Sequence, residues 1–131
     1  MPRHLTMPSL IELPAGPRRD FAELLFRYVR LADRPTLQQI SERIIERDDL
    51  PGTASKETVR LMLRGKTVPP RWQNAYSVFL VLCDLSGVDP DSRDHLASQG
   101  TRDYSRVGYF KMCWNRALDA PPSDPWGEPP F

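Results

Sequence analysis

The stretch Ser55-Lys-Glu-Thr-Val-Arg-Leu-Met-Leu-Arg-Gly-Lys-Thr-Val-Pro-Pro-Arg-Trp72 reads as a short capped helix with a stiff, basic exit. Ser55 suits the N-cap, because its hydroxyl can accept from the free N–H groups of a first helical turn. Gly65 suits the position just past the helix end, where the left-handed conformation costs glycine nothing. Between them Val59, Met62 and Leu63 recur at helical spacing and predict a buried stripe. Ser55, Lys56, Glu57, Arg60 and Arg64 fall off that stripe and are left for solvent or a partner. A short helix with one apolar side and one cationic, hydrogen-bonding side suits the major groove of DNA.

The residues before this stretch predict two more helices. Over 18–32, Phe21, Leu24, Leu25, Tyr28, Val29 and Ala32 form an amphipathic stripe, closed by Asp33-Arg-Pro35. The next helix starts at Thr36, where Thr36-Leu-Gln-Gln39 matches a capping box. Leu37, Ile40, Ile44 and Ile45 are its expected inward residues, and the small Ser41 allows a neighbouring helix to approach. Residues 46–53, with Asp48 and Asp49, lead into Ser55 through a Pro-Gly turn.

After the stretch, residues 70–85 form the most apolar segment, with Trp72, Ala75, Tyr76, Phe79, Leu80, Leu82 and Cys83. No charge occurs between Gln73 and Val81, which predicts a central buried helix. A short helix is expected over 91–98 and a longer one over 102–118, with Tyr104, Val107, Phe110, Cys113 or Trp114, and Ala117 inward. No segment alternates like a strand. The expected fold class is all-α, a compact bundle of five to six helices spanning 18–119. Residues 1–17, with four prolines, predict an irregular arm whose 9–13 patch can pack on the body, and 120–131, with five, an extended tail.

The net charge is only +1, but it is unevenly placed. Residues 55–72 hold Lys56, Arg60, Arg64, Lys66 and Arg71 against Glu57, whereas from Leu82 onward eight acidic residues outnumber five basic ones. A local cationic face favours a phosphate-bearing partner. Cys83 and Cys113 lie in apolar patterns and read as buried reduced thiols. With only His4 and His95 beside them, no metal set and no cofactor is expected. There is no Gly-rich phosphate loop and no nucleophile elbow, so an enzyme is not expected. No apolar run reaches membrane-spanning length and no signal peptide is read at the start, so the expected compartment is the cytoplasm.

The chain resembles the lambda-repressor-like (Cro/C1, XRE) helix-turn-helix DNA-binding family, in a version common in high-GC Gram-positive bacteria. The resemblance rests on Thr36-Leu-Gln-Gln-Ile-Ser41, on Ser55-Lys-Glu-Thr-Val59 and on Leu63-Arg-Gly-Lys-Thr-Val-Pro69 with Arg71-Trp72, and also touches Trp114-Asn-Arg-Ala117. It covers about residues 21–90. It implies a transcriptional regulator that binds double-stranded DNA, commonly as a homodimer on two half-sites about one DNA turn apart. Thr36 and Gln38 would touch phosphate. Ser55, Lys56 and Glu57 would face base edges and the nearest phosphate, Arg60 would enter the groove, and Arg64 and Lys66 would clamp backbone. In one respect the chain departs from the family: Ser41 and Thr58 lie 17 residues apart, where about ten is usual. A longer second helix or a bulged loop must absorb the excess. Leu61, off the stripe, is a candidate for a thymine methyl, the following helix or a protein. The alternative function is a protein-interaction adaptor docking through Leu61 and the tail aromatics Trp126 and Phe131.

Overall fold

The computed structural model describes residues 5–93 and 105–120. Its described elements are five helices: α1 (Pro17–Leu31), α2 (Leu37–Glu46), α3 (Lys56–Leu63), α4 (Trp72–Ser86) and α5 (Arg106–Asp119). No strand occurs among the described residues, and none of their helices is long and apolar enough to cross a membrane. The expected 91–98 helix, His95, Trp126 and Phe131 lie wholly or largely outside the described residues.

Each boundary has a local cause. Pro17 opens α1 without losing a needed donor. The helix closes through Asp33 (φ 63°) and Arg34 (φ 53°), whose N–H donates back to Val29 O at 2.9 Å. Thr36 and Gln39 form the reciprocal capping box, at 3.1 and 2.8 Å. Ser55 caps α3 by accepting from Thr58 N at 3.1 Å. At the other end Gly65 sits at φ 70°, with Gly65 N on Met62 O and Lys66 N on Leu61 O, both at 3.0 Å. That paired pattern is a Schellman ending, which satisfies two carbonyls the helix leaves open. A Cβ at Gly65 would also press into the Leu13 side chain, so a larger residue there would be strained by its backbone and would have to displace Leu13.

The core runs between α1, α4 and α5. Phe79 of α4 stacks on Phe110 of α5 with ring centroids 4.4 Å apart and meets Tyr28 of α1 edge-on at 5.1 Å. Such pairs add about 0.5–1.5 kcal/mol each beyond their burial. Val59, Met62 and Leu63 carry the inner side of α3 into the same core. Trp72 is half-buried, stacked on Tyr76 at 5.1 Å and leaning on Trp114 at 5.3 Å. Cys83 and Cys113 are buried free thiols.

Two expectations need correcting. Ile45 points outward, 78% exposed, because α2 buries only the Ile40, Ser41 and Ile44 side. The last helix starts at Arg106 rather than 102, since Ser105 accepts from Gly108 N at 3.0 Å and sets the cap there.

Candidate functional site

Of the eight residues singled out around α2 and α3, five share one cleft, and Ser55, Glu57 and Lys66 lie outside its lining. Thr36, Gln38, Lys56, Arg60 and Arg64 line one cleft of about 560 Å³, together with Leu5, Thr6, Phe26, Leu37 and Leu63. The start of α2 forms one wall, the outer side of α3 another, and arm residues Leu5 and Thr6 close it. Lys56 Nζ donates to Gln38 Oε1 at 2.8 Å, and Gln38 Nε2 donates to Glu42 Oε1 at 2.9 Å. The N-terminal ends of α2 and α3 are thereby stitched together.

Each cation of α3 has its own partner. Arg60 holds Glu57 in a two-point pair, Nε to Oε2 at 2.9 Å and Nη2 to Oε1 at 2.5 Å. The hydrogen bond from Arg60 lowers the Glu57 carboxyl below the usual range, and Glu57 raises the Arg60 guanidinium. Arg64 reaches Glu12 of the arm at 2.7 Å. The Glu12 carboxyl is lowered, first by the Ser9 backbone N–H and then by Arg64. Lys66 is exposed outside the cleft, and its carbonyl accepts from Arg18 Nη1 at 3.2 Å.

The arm is better built than its prolines suggest. Ser9 and Glu12 bond reciprocally at 3.2 and 3.3 Å, and Leu13 is buried against Gly65. Arg19 of α1 donates through Nη1 to the carbonyls of Pro8, Ser9 and Leu13, at 3.1, 3.2 and 2.7 Å. Sequence reasoning overlooked Glu12 and Arg19. No spacing rule joins residues 52 apart, and Arg19 resembled any solvated helix charge.

The excess between Ser41 and Thr58 is taken up by loop, since α2 ends at Glu46 and α3 begins at Lys56. That loop is fastened to α4. Gly52 N donates to Ser77 Oγ at 2.9 Å and Thr53 N to Asn74 Oδ1 at 3.1 Å. A Cβ at Gly52 would lie 2.7 Å from the Gln73 carbonyl, so the close approach requires glycine. Arg47 clasps Asp49 at 3.0 and 2.7 Å and lowers its carboxyl. Ser55 and Leu61 are less available than expected. The Ser55 hydroxyl is committed to the cap and to Thr58 Oγ1 at 2.9 Å, and Leu61 is half-buried.

Comparison with protein-family models, curated proteins and solved structures returns no match for this chain.

Proposed function

We propose that the chain is a sequence-specific double-stranded DNA-binding protein, a helix-turn-helix transcriptional regulator that lays α3 in the major groove. The observation that carries this reading is the split of α3 into two sides. Val59, Met62 and Leu63 are buried, while Lys56 and Arg60 are exposed and Arg64 is half-exposed beside the α2 N-terminus. An α-helix fits the major groove, and arginine there can make a two-point contact to guanine. The N-terminal end of α2, with Thr36 and Gln38, offers hydrogen-bond donors for the flanking phosphate. Fastening of residues 52–53 to α4 and the hold of Arg47 on Asp49 temper the acidic approach to α3.

The test is binding of a labelled duplex, selected from a random pool, to the full chain. Arg60→Ala with Arg64→Ala is expected to weaken binding by about two orders of magnitude, from roughly 1–3 kcal/mol for the Arg60 base contact together with the lost Arg64 phosphate contact. It should also flatten the salt dependence. Unchanged binding by the double variant rejects the assigned face. A palindrome among the selected sequences indicates a dimer.

A second reading is a protein-interaction adaptor. It is favoured by Leu10 and Ile11, 63% and 93% exposed in the arm turn that also presents Glu12 to Arg64. Failure to enrich any duplex supports this reading.

A further inference from the structure

From the Glu57–Arg60 pair we infer that Arg60 is a guanine reader and Glu57 the positioning residue that aims it. The inference rests on the DNA-binding reading of α3. A guanidinium has five N–H donors in one plane. Glu57 takes Nε and one N–H of Nη2, the side-on edge of the fork. The opposite edge, made of Nη1 and the second N–H of Nη2, makes no hydrogen bond among the described residues. That edge has the spacing that meets guanine O6 and N7 together. The carboxylate fixes the guanidinium plane before any base arrives, so less rotamer freedom is lost on contact.

The two cations of α3 and the Arg64 at its C-cap differ in this respect. The partner of Lys56 is the neutral Gln38 on α2, and the partner of Arg64 is Glu12 on the arm. Only Arg60, among these three, is oriented by an anion of its own helix, one turn away. Its aim therefore travels with α3 into a groove, whereas the other two depend on neighbouring segments. Arg64 and Lys56 then serve phosphate, where a point charge suffices. Glu57 has a second effect of opposite sign. Its charge repels phosphate, so it lowers affinity for every duplex while sharpening the choice of base.

The experiment selects duplexes with the full wild-type chain, then measures binding of Glu57→Ala, Glu57→Gln and Arg60→Ala to the selected duplex and to a scrambled one. It repeats each measurement with 7-deazaguanine, which lacks the N7 acceptor, at each selected guanine. For wild type, one guanine per site is expected to lose roughly tenfold or more on the deaza change. In Arg60→Ala the same change should have no further effect. In Glu57→Ala, binding to the scrambled duplex should rise while the deaza effect shrinks to a few-fold, and Glu57→Gln should restore part of it through its remaining oxygen. Both side chains are exposed, and circular dichroism of the variants should match wild type. Three results overturn the inference while leaving DNA binding intact. They are a selected site with no Arg60-dependent guanine, an undiminished deaza effect in Glu57→Ala, and relaxation of a cytosine instead, which would make Glu57 itself the base reader. Failure of wild type to enrich any sequence removes the DNA-binding reading and this inference with it.

Discussion

The indole N–H of Trp114 donates to the carbonyl of Pro69 at 2.8 Å, a buried bond joining residues 45 apart. It ties the last described helix to the connection between α3 and α4, so α5 helps hold the exit from α3 in place. Trp114→Phe keeps most of the apolar surface but strands the Pro69 carbonyl. The expected loss is about 1–3 kcal/mol. In a domain of this size that lowers the melting temperature by several degrees or more. Thermal denaturation followed by circular dichroism checks it, and an unchanged midpoint would show the bond contributes nothing.

Leu13 and Gly65 should behave as a coupled pair. Leu13→Ala empties a buried site and is expected to cost about 2–5 kcal/mol. Gly65→Ala is expected to cost about 1–2 kcal/mol from its left-handed backbone, plus the displacement of Leu13. Once Leu13 is truncated the new methyl has room. The double variant should therefore be less destabilised than the sum of the singles, by at least about 0.5 kcal/mol, in chemical denaturation. Strict additivity would place the two residues out of contact.

The sequence made part of this legible and hid the rest for physical reasons. The capping box at Thr36, the Ser55 cap and the Gly65 stop are local, and the chain states them within a few residues. Ile45 was misjudged because a helical stripe is wide enough to admit a neighbour of Ile44, and only tertiary packing decides its edge. The four-residue error at the start of α5 arose because Ser105 is an inconspicuous cap. In the candidate site, Lys56, Arg60 and Arg64 were readable from spacing. Their partners were not, because Gln38 and Glu12 reach them across 18 and 52 residues. Glu57 was identified as a site residue, but its grip on Arg60 is a matter of rotamer.

The Cys83 thiol is pushed up to about 12 by burial. It should resist alkylation by iodoacetamide at pH 8 in the native chain and react at the rate of unfolding in denaturant. The sign for stability follows from the raised value. The folded state keeps its proton while the unfolded thiol ionises near pH 8.5. Stability contributed by this group is complete below that pH and falls as pH rises toward 12. Rapid native labelling of Cys83 would contradict its burial.

Glu12 and Glu57 predict the opposite limb. Their folded values are lowered, so both pairs persist through neutral pH and are lost as pH falls through those depressed values. Carboxyl carbon titration by NMR should give midpoints for both below the ordinary glutamate range. Glu12→Ala should release Arg64 and strengthen duplex binding a few-fold at low salt, an effect erased by a second change, Arg64→Ala.

Arg19 holds the arm by three main-chain oxygens, which every amino acid supplies equally. Substitution at Leu10 or Ile11 therefore leaves those contacts in place. A whole surface can drift in chemistry, residue by residue, while its seat on α1 stays put. Loss of the single Arg19 guanidinium would do the reverse, keeping every arm side chain but leaving the segment to the Leu13 and Glu12 contacts alone. Such an arrangement lets substitutions change what the chain displays beside the Lys56–Arg60–Arg64 side of α3 without rebuilding the helices beneath it.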